Sequence, residues 1–290
     1  MKFYHISQAD SRRTSQAAQA EFFSLACEKR AIEYVRLLEQ DITGLSLPKL
    51  NDGDLLYRSA LGVWGKTVEQ LLTNANVGHI FKEWTVPFYG KGNSYMSMKR
   101  AGLPVIESLY FLPNKKLEAL EYVKKLGGFP LVIKVAGGTQ GVGIMSVDSI
   151  ESFNSVIDYV KSKGTVEVRV MKYIPHEFYG RFVVVGESVV ASTRDFAPVG
   201  DFRTNAWGPR ERKGGTYDFP EEIKNLAVQA VASTKAKIGG VDFVFAPDGD
   251  FYITEVNTPF DFAETQKITG VDVSDAIIEL MIKQTAHSSV

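Results

Sequence analysis

Val132-Ile133-Lys134-Val135 runs directly into Ala136-Gly137-Gly138-Thr139-Gln140-Gly141-Val142-Gly143-Ile144. The apolar run from Leu131 to Val135 reads as a strand, the four glycines as a turn, and Ile144 to Val147 as a returning strand. A lysine at the end of a strand, followed by a glycine-rich turn, is suited to a polyanion. Glycine lets backbone N–H groups approach phosphate oxygens closely, and the ammonium supplies a point charge. The order differs from the two familiar nucleotide fingerprints, because no lysine-serine or lysine-threonine pair follows the glycines and a strand rather than a helix comes next. Taken by itself, the stretch reads equally well as a flexible β-hairpin turn.

Upstream, strand and helix patterns alternate: Lys2 to Ile6, a helix over Ser15 to Arg30, Ile32 to Leu37, Asp54 to Arg58 after the Asn51-Asp52-Gly53 turn, and a helix from Thr67 to Ala75. That is the opening of a small parallel sheet. Tyr89-Gly90 breaks the pattern ahead of a helix from Ser94 to Ala101, which ends at Gly102 with Pro104 beyond. An amphipathic helix is predicted over Lys115 to Leu126, another over Ile150 to Lys163, and a strand over Thr165 to Met171. The last third reads as a hairpin, Arg181 to Val185 and Ser188 to Thr193 around Gly186-Glu187, then a polar loop from Pro198 to Tyr217. A helix over Glu221 to Lys237, strands Val241 to Phe245 and Phe251 to Val256, and a helix over Val273 to Lys283 complete it.

The 290 residues suffice for two or three subdomains, each with its own core. Lysine and arginine number 33 against 34 aspartates and glutamates, a formal net charge of −1 that gives no general attraction to nucleic acid or anionic membrane. The one cysteine, Cys27, sits in an apolar-periodic stretch and reads as a small buried hydrophobe, and the histidines do not assemble at zinc spacing. No apolar run approaches membrane-spanning length and no secretory h-region follows Met1, so the expectation is a soluble cytoplasmic protein.

Asp242, Glu255 and Asn257 fall at the ends of two adjacent predicted strands. Period two places Glu255 and Asn257 on one face, and hairpin pairing brings Asp242 alongside. Two carboxylates among valine, isoleucine and phenylalanine repel unless a cation lies between them, and Mg²⁺ favours a few protein oxygens completed by substrate phosphate. Solvated strand ends are the alternative.

Together, the Lys134 strand with its glycine loop, Gly200-Asp201-Phe202-Arg203-Thr204-Asn205, Gly240-Val241-Asp242 and Glu255-Val256-Asn257 resemble the ATP-grasp superfamily, most closely its RimK-like carboxylate-amine ligases. The likeness runs from about Lys91 to Ile282. It implies an α/β and α+β architecture: an N-terminal parallel-sheet domain over 1–90, a central lid domain over 91–172 and a C-terminal metal-bearing domain over 173–290. Lys91 and Lys134 match the family's two nucleotide lysines, with Gly138, Thr139, Gln140, Gly141 and Gly143 around the phosphates. Lys172-Tyr173-Ile174 resembles the segment that reads the adenine edge, and Arg203 and Asn205 match positions near the γ-phosphate, Arg203 in a catalytic role. Asp242, Glu255 and Asn257 match the ligands of two Mg²⁺ ions, with Mn²⁺ able to replace them. In three places the chain departs from the family: Gly90 replaces an aspartate; Tyr179 replaces an aspartate two positions before Arg181, itself matched to a nucleotide-binding position, with Glu177 the nearest acidic substitute for a ribose contact; and Thr258-Pro259-Phe260-Asp261-Phe262 replaces the usual small-residue loop after the metal asparagine, on the acceptor side.

The resemblance implies a ligase. A carboxylate attacks the γ-phosphorus of ATP to give an acyl phosphate and ADP, and an amine then displaces phosphate. No enzyme nucleophile is needed. Substrates would be small-molecule or peptide carboxylates and amines, and related ligases self-associate. A phosphotransferase that stops at phosphorylation and a nucleotide-binding regulator without turnover remain open alternatives.

Overall fold

The computed structural model describes residues 1–9, 16–86, 94–113, 115–135, 141–164, 167–196, 201–203 and 214–287. The N-terminal part comprises β1 (Lys2–Ser7), α1 (Gln16–Lys29), β2 (Glu33–Leu38), β3 (Leu55–Arg58) and α2 (Val63–Leu72). Its strands form a parallel sheet in the order β2-β1-β3. β1 is buried along nearly its whole length, the polar His5 and Ser7 included, because it lies between two neighbours with helices packed on it.

There follow α3 (Ser94–Arg100), β4 (Ser108–Tyr110), α4 (Lys116–Lys125), β5 (Leu131–Val135), β6 (Ile144–Val147), α5 (Ile150–Ser162) and β7 (Val168–Lys172). The four strands pair antiparallel as β4-β7-β5-β6. Ser149 caps α5, its hydroxyl accepting from the Ser152 amide at 3.2 Å. The remaining elements are β8 (Phe178–Val185), β9 (Ser188–Phe196), β10 (Gly215–Thr216), α6 (Glu221–Ser233), β11 (Ile238–Phe245), β12 (Phe251–Asn257), α7 (Ala263–Thr269) and α8 (Val273–His287). They build a five-stranded sheet in the order β10-β9-β8-β11-β12. Gly186 lies at φ 66°, as the two-residue β8–β9 turn requires.

Val273, Ile277, Ile278 and Met281 form a fully buried stripe on α8. This stripe joins the N-terminal sheet and the five-stranded sheet into one core that runs from Phe3 and Phe23 to Phe243 and Ile253. Arg30 adds a two-pronged contact to Asp275, at 2.6 and 2.8 Å. The four-stranded sheet keeps a separate core of Leu131, Ile133, Phe153 and Ile157. It therefore has fewer buried contacts tying it to the rest.

Several boundaries differ from expectation. Helix α2 begins at Val63 rather than Thr67, because Val63 and Trp64 are exposed apolar residues that break the expected pattern. Strand β8 starts three residues before Arg181, and the short β10 falls within the expected polar loop. Helix α7 spans only seven residues before Gly270 ends it at φ 70°, too few for a clear period.

At the carboxyl ends of β1 and β3, His5 lies fully buried. Its Nε2 donates to Ser59 Oγ at 2.7 Å, since that hydroxyl is itself donated to Gln16, and Nδ1 accepts from Tyr34 at 2.9 Å. Burial, assisted by Arg36, pushes its pKa down to about 3. Burial and the charge of Lys237 push buried His79 to about 4. The unfolded chain takes up these protons near pH 6.5 and the folded chain refuses them, so stability falls as pH drops from 6.5 toward those values. At pH 5 the loss is about 2 kcal/mol for each histidine. Thermal melts of His5→Gln should decline less between pH 7 and pH 5 than those of the parent; parallel declines would contradict this assignment.

Candidate active site

Three strands carry the acidic cluster. Asp242 on β11 stands opposite Glu255 on β12 and opposite Arg181 on β8, while Gly240 stands opposite Asn257. The pairing of β11 with β12 shifts after Asp242, leaving Thr254 as the extra residue, and its hydroxyl donates to the Asp242 carbonyl at 3.1 Å. This bulge changes the parity of β12. Ile253 and Val256 both enter the core, while Thr254, Glu255 and Asn257 line the cleft.

The two carboxylates do not face each other unbalanced. Arg181 Nη1 reaches both oxygens of Asp242 at 2.8 Å, and Lys134 Nζ lies 3.2 Å from Glu255 Oε2. Burial pushes the Asp242 carboxyl upward, against the pull of Arg181. Gly240 leaves room for this arrangement: a Cβ there would meet the Arg181 guanidinium carbon at 2.8 Å. The Lys134–Glu255 pair also links β5 of the four-stranded sheet to β12 of the five-stranded one.

Arg203 makes a second link across the cleft. Its guanidinium is held by Asp201 at 2.7 Å, and its Nη1 reaches the Gly141 carbonyl at 3.4 Å. Those hydrogen bonds hold the Asp201 carboxyl below the usual carboxylate range. Gly141 and Gly143 have φ of 76° and 85°, and the Gly143 carbonyl accepts from the Val135 amide at 2.9 Å. Side chains other than glycine rarely adopt these angles, so the turn after Lys134 needs its glycines.

The cleft between the two sheets has a volume of about 490 Å³, within the range of small-molecule sites. Lys134, Gly141, Lys172, Tyr173, Ile174, Arg181, Arg203, Asp242, Glu255 and Asn257 all line it. Gly143 supports the turn without lining the cleft. Lys91, Gly138, Thr139, Gln140 and Asn205 lie outside the described residues. Glu177 is exposed and is not among the residues that line the cleft, although His176 beside it is. The Tyr179 hydroxyl donates to Asp195 at 2.7 Å instead, and the further acid lining the cleft is Asp261.

Sequence reasoning missed the apolar wall of the cleft. Ile106, Val132, Ile144, Met171 and Val244 come from four strands and one loop, and nothing in their local spacing distinguishes them from ordinary core. Arg169 was missed as well. It lines the cleft with its guanidinium 5.1 Å from the Tyr95 ring centre, and its buried Nε has no hydrogen-bond partner among the described residues.

Two carboxylates and one amide oxygen are a donor set that Mg²⁺ completes with phosphate oxygens and water. Among the described residues no group of three or more His, Cys, Asp or Glu side chains forms a closed metal cage.

The family model of the RimK-like ATP-grasp domain matches residues 92–281. The chain belongs to that family. A probable alpha-L-glutamate ligase of Picosynechococcus sp. is 32% identical over 198 residues, which are 66% of this chain and 62% of that protein. The ribosomal protein bS6–L-glutamate ligase of Salmonella newport is 32% identical over 166 residues, 55% of this chain and 52% of that one. The chain thus spans 52–62% of the length of these two curated relatives. The structure of the ATP-grasp ligase PsnB complexed with minimal precursor, Mg and ADP superposes with a TM-score of 0.72 at 14% identity, covering 98% of this chain and 97% of that one. The three-sheet architecture is the ATP-grasp fold. Among the described residues no helix is long and apolar enough to cross a membrane.

Proposed function

We propose that this chain is an ATP-dependent, ADP-forming ligase that joins a carboxylate to an amine through an acyl phosphate. The observation that carries this reading is the meeting of four charges in one cleft: Lys134 and Arg203, both reaching across it, beside Asp242 and Glu255. A nucleotide polyphosphate needs cationic groups at its oxygens and carboxylates for its metal, on elements that can close together. The RimK-like relatives support the same chemistry, being named as glutamate ligases.

In this reading Asp242, Glu255 and Asn257 hold up to two Mg²⁺ ions, or Mn²⁺ in their place, and the metal supplies charge stabilisation at the phosphates. Arg181 orients Asp242. Lys134, Lys91 and the turn from Gly138 through Gly143 hold the phosphates, while Lys172, Tyr173 and Ile174 border the base. Arg203, with Asn205, sits on the γ-phosphate side and balances charge as the carboxylate oxygen attacks phosphorus. Residues 91–172 act as the lid, 1–90 and 173–290 as the base on which it closes, and water exclusion protects the acyl phosphate. The substrates are amino acids or peptides bearing the carboxylate and the amine, and the protein works in the cytoplasm.

Incubation with ATP, Mg²⁺ and a panel of amino acids and short peptides tests the reading by mass detection. The expected product has the summed mass of one carboxylate and one amine substrate less one water. A phosphorylated substrate as the end product, or ATP binding with no product across the panel, would refute it.

A further inference from the structure

A second recess, of about 690 Å³, shares no lining residue with the nucleotide cleft. It lies where the chain after α2 meets the α6–β11 connection and the last turns of α8. Phe81 and Ala236 form an antiparallel bridge there, flanked by hydrogen bonds from Lys82 N to Lys235 O at 2.9 Å and from Lys237 N to Ile80 O at 2.8 Å. Gln284 on α8 fastens the same segment, donating to Phe81 O at 3.0 Å and accepting from His79 N at 3.3 Å. The backbone around the recess is therefore held at three points.

Its charge is one-sided. Among the described residues, Lys82, Lys237 and Lys283 line it against a single carboxylate, Glu83. Lys283 pairs with Glu279 at 2.7 Å, whereas among the described residues neither Lys82 nor Lys237 has a carboxylate at ion-pair distance. Burial and the neighbouring Lys82 charge push Lys237 below the usual lysine range, so the two ammonium groups lie close enough to repel. Buried His79 adds a donor: its Nδ1 accepts from the Phe81 amide at 3.2 Å, which leaves the neutral ring's proton on Nε2. Val77, Trp84 and Leu280 supply apolar wall.

We propose that this recess binds a small, multiply charged anion, phosphate-bearing or polycarboxylate, held chiefly by Lys82 and Lys237. Lys237 is half-buried and Lys82 exposed on the same recess, so their like charges repel until an anion enters between them. The site is separate from the nucleotide cleft and does not depend on the ligase reading.

Calorimetric titration with inorganic pyrophosphate tests it, without metal and at ionic strength held constant with sodium chloride. Methionine replaces lysine so that the apolar stem stays and the charge goes. Lys82→Met/Lys237→Met should weaken binding at least tenfold, while the exposed Lys66→Met leaves it within twofold and Lys134→Met identifies any share of the heat that belongs to the nucleotide cleft. Should the double variant fail to give the parent circular dichroism spectrum, Lys82→Met alone carries the test, with a threefold or greater loss expected. Citrate in place of pyrophosphate separates the two ligand classes, and lysine-dependent binding of either supports the site. Binding of neither, loss confined to Lys134→Met, or equal weakening in all variants overturns it.

Discussion

Replacing Asp242 by asparagine is expected to lower the rate of ADP formation on the order of a thousandfold, through loss of a charge that holds metal against the phosphates. Asparagine keeps the size of the side chain and an oxygen that can accept from Arg181, which now reaches both Asp242 oxygens at 2.8 Å. The fold should therefore survive with a loss of about 1–3 kcal/mol for the weakened charge-assisted contact. Glu255→Gln should produce a comparable loss of turnover, since Glu255 faces Asp242 across the β11–β12 pair. Steady-state kinetics alongside thermal melts separates the two effects. Undiminished turnover in either variant would remove the metal assignment.

The second large effect is expected at Lys134. Lys134→Ala should weaken nucleotide binding about 10- to 100-fold, the worth of one charge-assisted hydrogen bond to phosphate of about 1.5–3 kcal/mol. It also removes the cation now 3.2 Å from Glu255. In this structure Lys134 neutralises the carboxylate; a Mg²⁺-nucleotide held by Asp242, Glu255 and Asn257 would supply that countercharge and free the lysine for phosphate. Lys172→Ala is expected to change binding less than threefold, because its side chain is exposed and, in the proposed reading, the segment borders the base through its main chain. Equilibrium titration of both variants with a non-hydrolysable nucleotide compares them, and equal losses would contradict the distinction.

Local pattern carried part of this far. Strands β5 and β6 lie at the residues their apolar runs predict, and Gly141 and Gly143 between them take the positive φ that only glycine adopts easily. Period two correctly set Glu255 beside Asn257 on the cleft side. It would also have set Ile253 there, and the Thr254 bulge prevents this by sending Ile253 into the core. A bulge leaves no mark in an alternating apolar pattern. The counter-charges are long-range in the same sense: Arg181 lies 61 residues from Asp242, and Lys134 lies 121 residues from Glu255. The electrostatic need for a cation near these carboxylates was legible from their setting, but which side chains meet it depends on how three sheets pack. The core shared by the N-terminal and five-stranded sheets arises likewise from α8, whose buried stripe touches both only after folding. Glu177, an acid near the right place in sequence, lies exposed just before β8.

The joining reaction itself is tested most directly by the stoichiometry of ADP release. With ATP, Mg²⁺, a carboxylate and an amine present, one ADP should appear for each amide bond formed, and omission of the amine or the carboxylate should reduce ADP to the background of slow ATP hydrolysis. ADP release at the full rate without an amine, or amide formation without matching ADP, would contradict a ligase that couples ATP cleavage to carboxylate-amine joining.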